Sequence, residues 1–178
     1  YQNQHTKDDE RILILNQPAR LMSPFSEDPE HYVRWLSSRY PEYSAESFTP
    51  RSIFGEYLED TVLQFERAAI QSGALFEIRR IHARVDDPAQ LGLGRGVLSS
   101  ETIHATSPVV LATGHTKADG FSAFSGNSHY IDEPFNVGRY RSIELALVSQ
   151  AIIVGGGPSS IDAIRTLEEI GYKGSYII

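Results

Sequence analysis

The sequence predicts an α/β fold, on three features of its 178 residues. Near the C-terminus an apolar run, Ala151-Ile152-Ile153-Val154, leads through Gly155-Gly156-Gly157-Pro158-Ser159-Ser160 into a segment of helical period. Further back, Pro108-Val109-Val110-Leu111-Ala112-Thr113-Gly114 is a continuous apolar run closed by small residues, as expected of a parallel strand buried on both faces. Ahead of it lie two stretches whose apolar residues recur at helical spacing.

The elements follow in order. Arg11-Ile12-Leu13-Ile14-Leu15-Asn16 reads as a buried strand, ended by Gln17-Pro18. A loop over 19–27 leads to Asp28 as N-cap and Pro29 at the first helical position. Tyr32, Val33, Leu36 and Tyr40 then repeat at helical spacing until Pro41, with Tyr32 and Trp35 read as core. Thr49 and Pro50 open the strongest helix, about Pro50 to Ser72; it carries Phe54, Tyr57, Leu58, Val62, Phe65 and Ala69 on one face and stops at Gly73. Residues 74–85 predict one or two strands of a β-meander, and Val97-Leu98 with residues 101–105 a hairpin. The Gly-, Ser-, Asn- and Pro-rich stretch 115–150 has no clean period and reads as an interdomain linker. Residues 151–178 form a βαβ unit: strand, glycine turn, a helix with Ile161, Ile164, Leu167 and Ile170 inward, Gly171 as stop, and a strand from Ser175 to Ile178. The expected parts are therefore 1–114, 115–150 and 151–178.

Composition narrows the function. A formal charge of −7 argues against a nucleic-acid partner, which draws on clustered cations. No apolar run approaches the roughly 20 residues that cross a bilayer, and YQNQHTKDDE has neither a basic nor an apolar leader region. With no cysteine there is no thiolate nucleophile, disulfide or Cys-ligated metal, which suits a cytoplasmic protein.

The glycine turn carries the chemistry. In Gly155-x-Gly157-x-x-Ser160 the first Gly permits a tight turn and the second lets a pyrophosphate approach the backbone. The small third position lets helix pack on strand, and the helix N-terminus offers N–H groups and partial positive charge to phosphate. Gly155 through Ser160 are thus the expected dinucleotide site. The acid or arginine that separates NAD from NADP belongs roughly 20 residues on, at the end of the second strand.

Taken in order, Leu13 to Ala19 with Met22-Ser23, Tyr32-x-x-Trp35-Leu36, Pro50-Arg51-x-x-Phe54-Gly55-x-Tyr57-Leu58, Val109 to His115, Tyr130-Ile131-x-x-Pro134-Phe135 and Ile152 to Asp162 resemble successive blocks of the FAD/NAD(P)-binding oxidoreductases allied to the flavin-containing and N-hydroxylating monooxygenases. The resemblance implies an incomplete FAD/NAD(P)-binding, Rossmann-like fold with a β-meander: a partial FAD domain over 1–114 and the start of an NAD(P) domain over 151–178. It implies that Ala112-Thr113-Gly114 and His115 border the flavin, and that NADPH, or NADH, lies on the second glycine turn. Asn16 and Met22 are further cofactor candidates, since cofactor loops gather at strand ends, and Arg51 is a candidate for a cofactor or substrate role against the alternative of a solvated first-turn residue.

Two features depart from that pattern. The glycine fingerprint for the FAD pyrophosphate is not found ahead of Arg11, and Phe124-x-Gly126-x-x-His129 is one residue shorter than the signature of the flavin-containing and Baeyer–Villiger enzymes. Two strands and one helix over 151–178 also fall short of a stable sheet, so the remainder of the fold, or another chain, is expected to complete it. The favoured reading is an FAD-dependent, NAD(P)H-using oxidoreductase, plausibly a monooxygenase of a small molecule. The cofactors would do the redox chemistry, with no side chain assigned as acid or base and no metal. The alternatives are a non-catalytic nucleotide-binding fragment or scaffold subunit, and a flavin-free NAD(P)-dependent dehydrogenase.

Overall fold

Tyr32, Trp35 and Leu36 fall on one side of a helical turn, and all three are buried. In the computed structural model, which describes residues 9–81, 95–97, 102–104, 110, 112 and 119–178, the helices and strands mix as an α/β fold requires. The chain divides into two compact units, Tyr1–Arg67 with Gly120–Ile178, and Ala68–Asp119.

The first unit opens with a single helical turn, α1 (Asp9–Ile12), where the sequence predicts the start of a strand. Extended pairing follows only at Ile14, which bridges Pro50 antiparallel, with Leu15 N–H donating to Thr49 O (2.9 Å). The strand cannot grow because Pro50 has no N–H to give and the chain turns helical at once behind it. Helix α2 (His31–Arg39) and helix α3 (Arg51–Gln71) lie where their periodicity puts them. Asp28 does not cap α2; its carboxylate takes the guanidinium of Arg34, while its carbonyl accepts from Ser23 Oγ (2.6 Å). On α3 the buried side chains are Ile53, Tyr57 and Thr61, one turn apart, while Leu58, Val62 and Phe65 of the expected face are exposed. The face turns because Tyr57 packs its ring against Tyr32, Trp35 and Phe54. With Leu15, Ala19 and Leu36 these residues form the first core. Helix α3 ends as expected: Gly73 sits at φ +79°, and Ala74 N–H reaches Ala69 O (3.1 Å).

In the second unit, strands β1 (Arg95–Val97) and β2 (Thr102–His104) pair antiparallel, the predicted hairpin. Residues 74–81 carry no strand, and 82–85 lie outside the described residues. Of the apolar run before Gly114 the structure describes Val110 and Ala112; both are exposed and outside any strand, in contrast to the interior strand expected there. An interior strand needs a paired neighbour at each edge and a covering layer on each face, and among the described residues neither Val110 nor Ala112 has a strand partner.

The stretch that lacks a sequence period holds a short helix, α4 (Val137–Arg141), with Val137 and Tyr140 buried. It packs against helix α5 (Pro158–Glu169), which connects strand β3 (Gln150–Ile152) to strand β4 (Ser175–Ile177). The two strands pair in parallel, Ala151 opposite Tyr176, giving the predicted strand, turn, helix and strand. Tyr140, Ala163, Leu167 and Tyr172 make the second core. The inward face of α5 is Asp162, Ala163, Thr166 and Leu167, and Ile161, expected inward, is exposed. The rotation puts a carboxylate inside, which requires a cation to meet it.

Candidate functional site: the glycine turn and its supports

Between β3 and α5 the chain reverses through three glycines, of which Gly155 is at φ +108°, a conformation that a side chain resists. At Gly156 and Gly157 an added Cβ would meet nothing within 4 Å, so the backbone here faces open space. Pro158 begins α5, its fixed φ suited to the first helical position. Ser160 donates from its N–H (2.9 Å) and from Oγ (2.5 Å) to the Gly157 carbonyl, which fixes the end of the turn. Gly155 through Ser159 are exposed and Ser160 half-buried. The result is an uncovered stretch of backbone at the positive end of a 12-residue helix, suited to an anion.

Just behind the turn lies an ion pair. Asp162, its side chain 4% exposed, accepts from an Arg51 guanidinium nitrogen at 2.9 Å. Arg51 also donates through Nε to Ile14 O (2.9 Å) and through its backbone N–H to Leu13 O (2.8 Å), and its guanidinium lies 4.7 Å from the Phe135 ring centroid. Burial pushes the Asp162 carboxyl above its ordinary value, against the pull of the Arg51 charge and a hydrogen bond from the Ile14 backbone. Arg51, a cofactor candidate from sequence, is thus tied to Asp162, Ile14, Leu13 and Phe135, with its side chain still 38% exposed. Asp162 and Phe135 stood in quoted sequence blocks without a role; an acid on the apolar side of a helix was the available signal.

The other candidates scatter. Asn16 is exposed, and Met22 is half-buried against the first core. Among the described residues no hydrogen bond joins either to the glycine turn. Ala112 is exposed. Thr113, Gly114 and His115 lie outside the described residues.

A protein family described as FAD-NAD(P)-binding matches residues 2–116, well over half of the chain. The chain belongs to that FAD-NAD(P)-binding family. Its cofactors are accordingly FAD and NADP or NAD, which points to a flavin- and nicotinamide-dependent oxidoreductase. The matched stretch ends ahead of the glycine turn, so the turn's own geometry must show whether a dinucleotide fits there. At Gly156 and Gly157 the backbone carries no Cβ and lies open, so nothing there obstructs the approach of a phosphate. Neither the curated proteins nor the solved structures yield a match to the chain. Among the described residues no helix is long and apolar enough to cross a membrane.

Proposed function

We propose that the chain serves an FAD-dependent, NAD(P)H-using oxidoreductase of the monooxygenase kind, acting on a small molecule, and that Gly155 to Ser160 hold the pyridine nucleotide. The observation that carries this reading is the uncovered glycine turn between a parallel strand pair and its helix, in a member of an FAD-NAD(P)-binding family. The monooxygenase assignment rests on the resemblance of the sequence blocks.

When bound, the two cofactors supply hydride transfer and the activation of oxygen. The chain's part is to bind and orient. Gly155 turns the backbone so that the α5 N-terminus faces the phosphates; Gly156 and Gly157 leave them room; Ser160 holds the Gly157 carbonyl. Ala112 to His115 are proposed to border the flavin, with Asn16 and Met22 in a neighbouring loop. Residues 1–114 are proposed as part of the FAD domain, 115–150 as the connection, and 151–178 as the opening of the Rossmann-like NAD(P) domain.

Gly157→Val tests the turn. Because a Cβ at 157 meets nothing, the variant should fold and melt like the native protein. Its branched side chain would occupy the phosphate position, so NADPH titration should show affinity reduced by about 100-fold, on the order of 3 kcal/mol. Unchanged affinity would remove the turn from the cofactor site.

A further inference from the structure

We propose that Arg51 and Asp162 form a positioning clasp that sets the direction of α5, and with it the glycine turn, for the pyridine nucleotide. The proposal rests on the reading of that turn given above. The packing along α5 is uneven. Gly155 to Ser159 and Ile161 are exposed, whereas Ala163, Thr166 and Leu167 are buried. Asp162 is therefore the first fully buried residue behind the turn, and its carboxylate is where the front of the helix is tied down. The tie is directional, because Arg51 is itself held on three sides: by its backbone N–H on Leu13, by Nε on Ile14, and by its guanidinium against Phe135.

Asp162 is buried while the Arg51 side chain stays 38% exposed, so desolvation of the carboxylate offsets much of the attraction and the pair adds little net stability; an apolar pair of similar volume packs as well. An apolar pair lacks a bond of fixed direction. Apolar contacts from Ala163 onward hold α5 in place without fixing how its first turn points, and a shift of about an ångström in a binding group costs up to about 100-fold. Arg51 is thus a positioning residue acting through Asp162. It also joins the segment at Leu13 and Ile14, inside the family-matched stretch, to the helix that follows the turn.

The test compares NADPH titrations and melting curves of the native protein, Arg51→Lys, the apolar double variant Arg51→Met with Asp162→Leu, and Gly157→Val, each measured well below its melting temperature, with flavin content read by absorbance. Arg51→Lys keeps the charge and loses the planar fork, so NADPH affinity should fall by about tenfold with the melting temperature nearly unchanged. The double variant should retain its melting temperature and flavin and lose at least as much affinity. Affinity within about twofold of native in both variants, with Gly157→Val still defective, overturns the clasp and leaves the turn as the site. Native affinity in Gly157→Val overturns both. An affinity loss in the double variant that Arg51→Lys does not share, and that comes with a lowered melting temperature, marks a structural role and also overturns the clasp.

Discussion

Gly174 has no positive φ, and what favours glycine there is space. A Cβ there would collide with the Tyr172 ring and with the Ser149 carbonyl, backbone that cannot move because Ser149 O accepts from Ser175 N–H (3.0 Å) beside the β3–β4 pair. Gly174→Ala is expected to destabilise the protein by about 1–3 kcal/mol through this overpacking, read as a lower midpoint in urea. Tyr140 sets a pH limit. It is buried, donates to Pro134 O (3.1 Å), and burial, helped by the nearby Asp162 carboxylate, pushes its phenol up to about 12 from 10. The unfolded chain releases this proton first. The stability it represents is therefore complete below pH 10 and lost as pH rises from 10 towards 12, roughly 2–3 kcal/mol at about 1.4 kcal/mol per unit. Tyr140→Phe should flatten the fall of urea midpoint with pH across that window; an unchanged slope would place the alkaline sensitivity elsewhere. Asp162 works in the same sense at acid pH: with its carboxyl raised, the folded state takes up the proton before the unfolded one, so this group does not contribute to acid unfolding.

At the scale of elements, what was legible was what is decided locally. Helices α2 and α3 and the stop at Gly73 follow from spacing, Pro positions and glycine, which act within a few residues. So does β3, turn, α5 and β4, including the stop at Gly171, at φ +95°, where Tyr172 N–H reaches Leu167 O (2.9 Å). The segment at Arg11 was not legible, because whether an apolar run becomes a strand depends on a partner far away in sequence; here the partner offers Thr49 and a proline. The buried face of α5 was legible only in part: Leu167 and Ile170 meet the second core as expected, while Ile161 is exposed and Asp162, with its distant cation Arg51, turns inward.

At the scale of the whole molecule, surface and cofactor meet. Among the described residues β3 and β4 pair only with each other, and Ile152, Val154, Ile161, Ile177 and Ile178 are exposed around them. A two-stranded parallel pair with apolar edges invites further strands. The chain should run in size-exclusion chromatography with light scattering above the 19.8 kDa of one copy. A sharp monomer would contradict this. For the flavin side, Gly114→Leu should strip flavin, seen as lost absorbance in the flavin bands with far-ultraviolet circular dichroism unchanged. A variant that stays fully yellow would show that the Ala-Thr-Gly segment does not border the flavin.

The sequence by itself determined the class of fold, helices α2, α3 and α5, and the glycine turn with its open backbone. Each of these is set by residues within a turn or two of one another, where steric preference and period act alone. The cofactor class followed from the order of the blocks along the chain and agrees with the family that the first two thirds belong to. Only the tertiary structure decided what Arg51 does. Its partners stand 37 and 111 residues away, at Ile14 and Asp162, and no local rule relates them. A buried carboxylate is tolerated only where a cation reaches it, so the turning of Asp162 to the inside of α5 was fixed by a partner that the helix's own hydrophobic stripe does not contain.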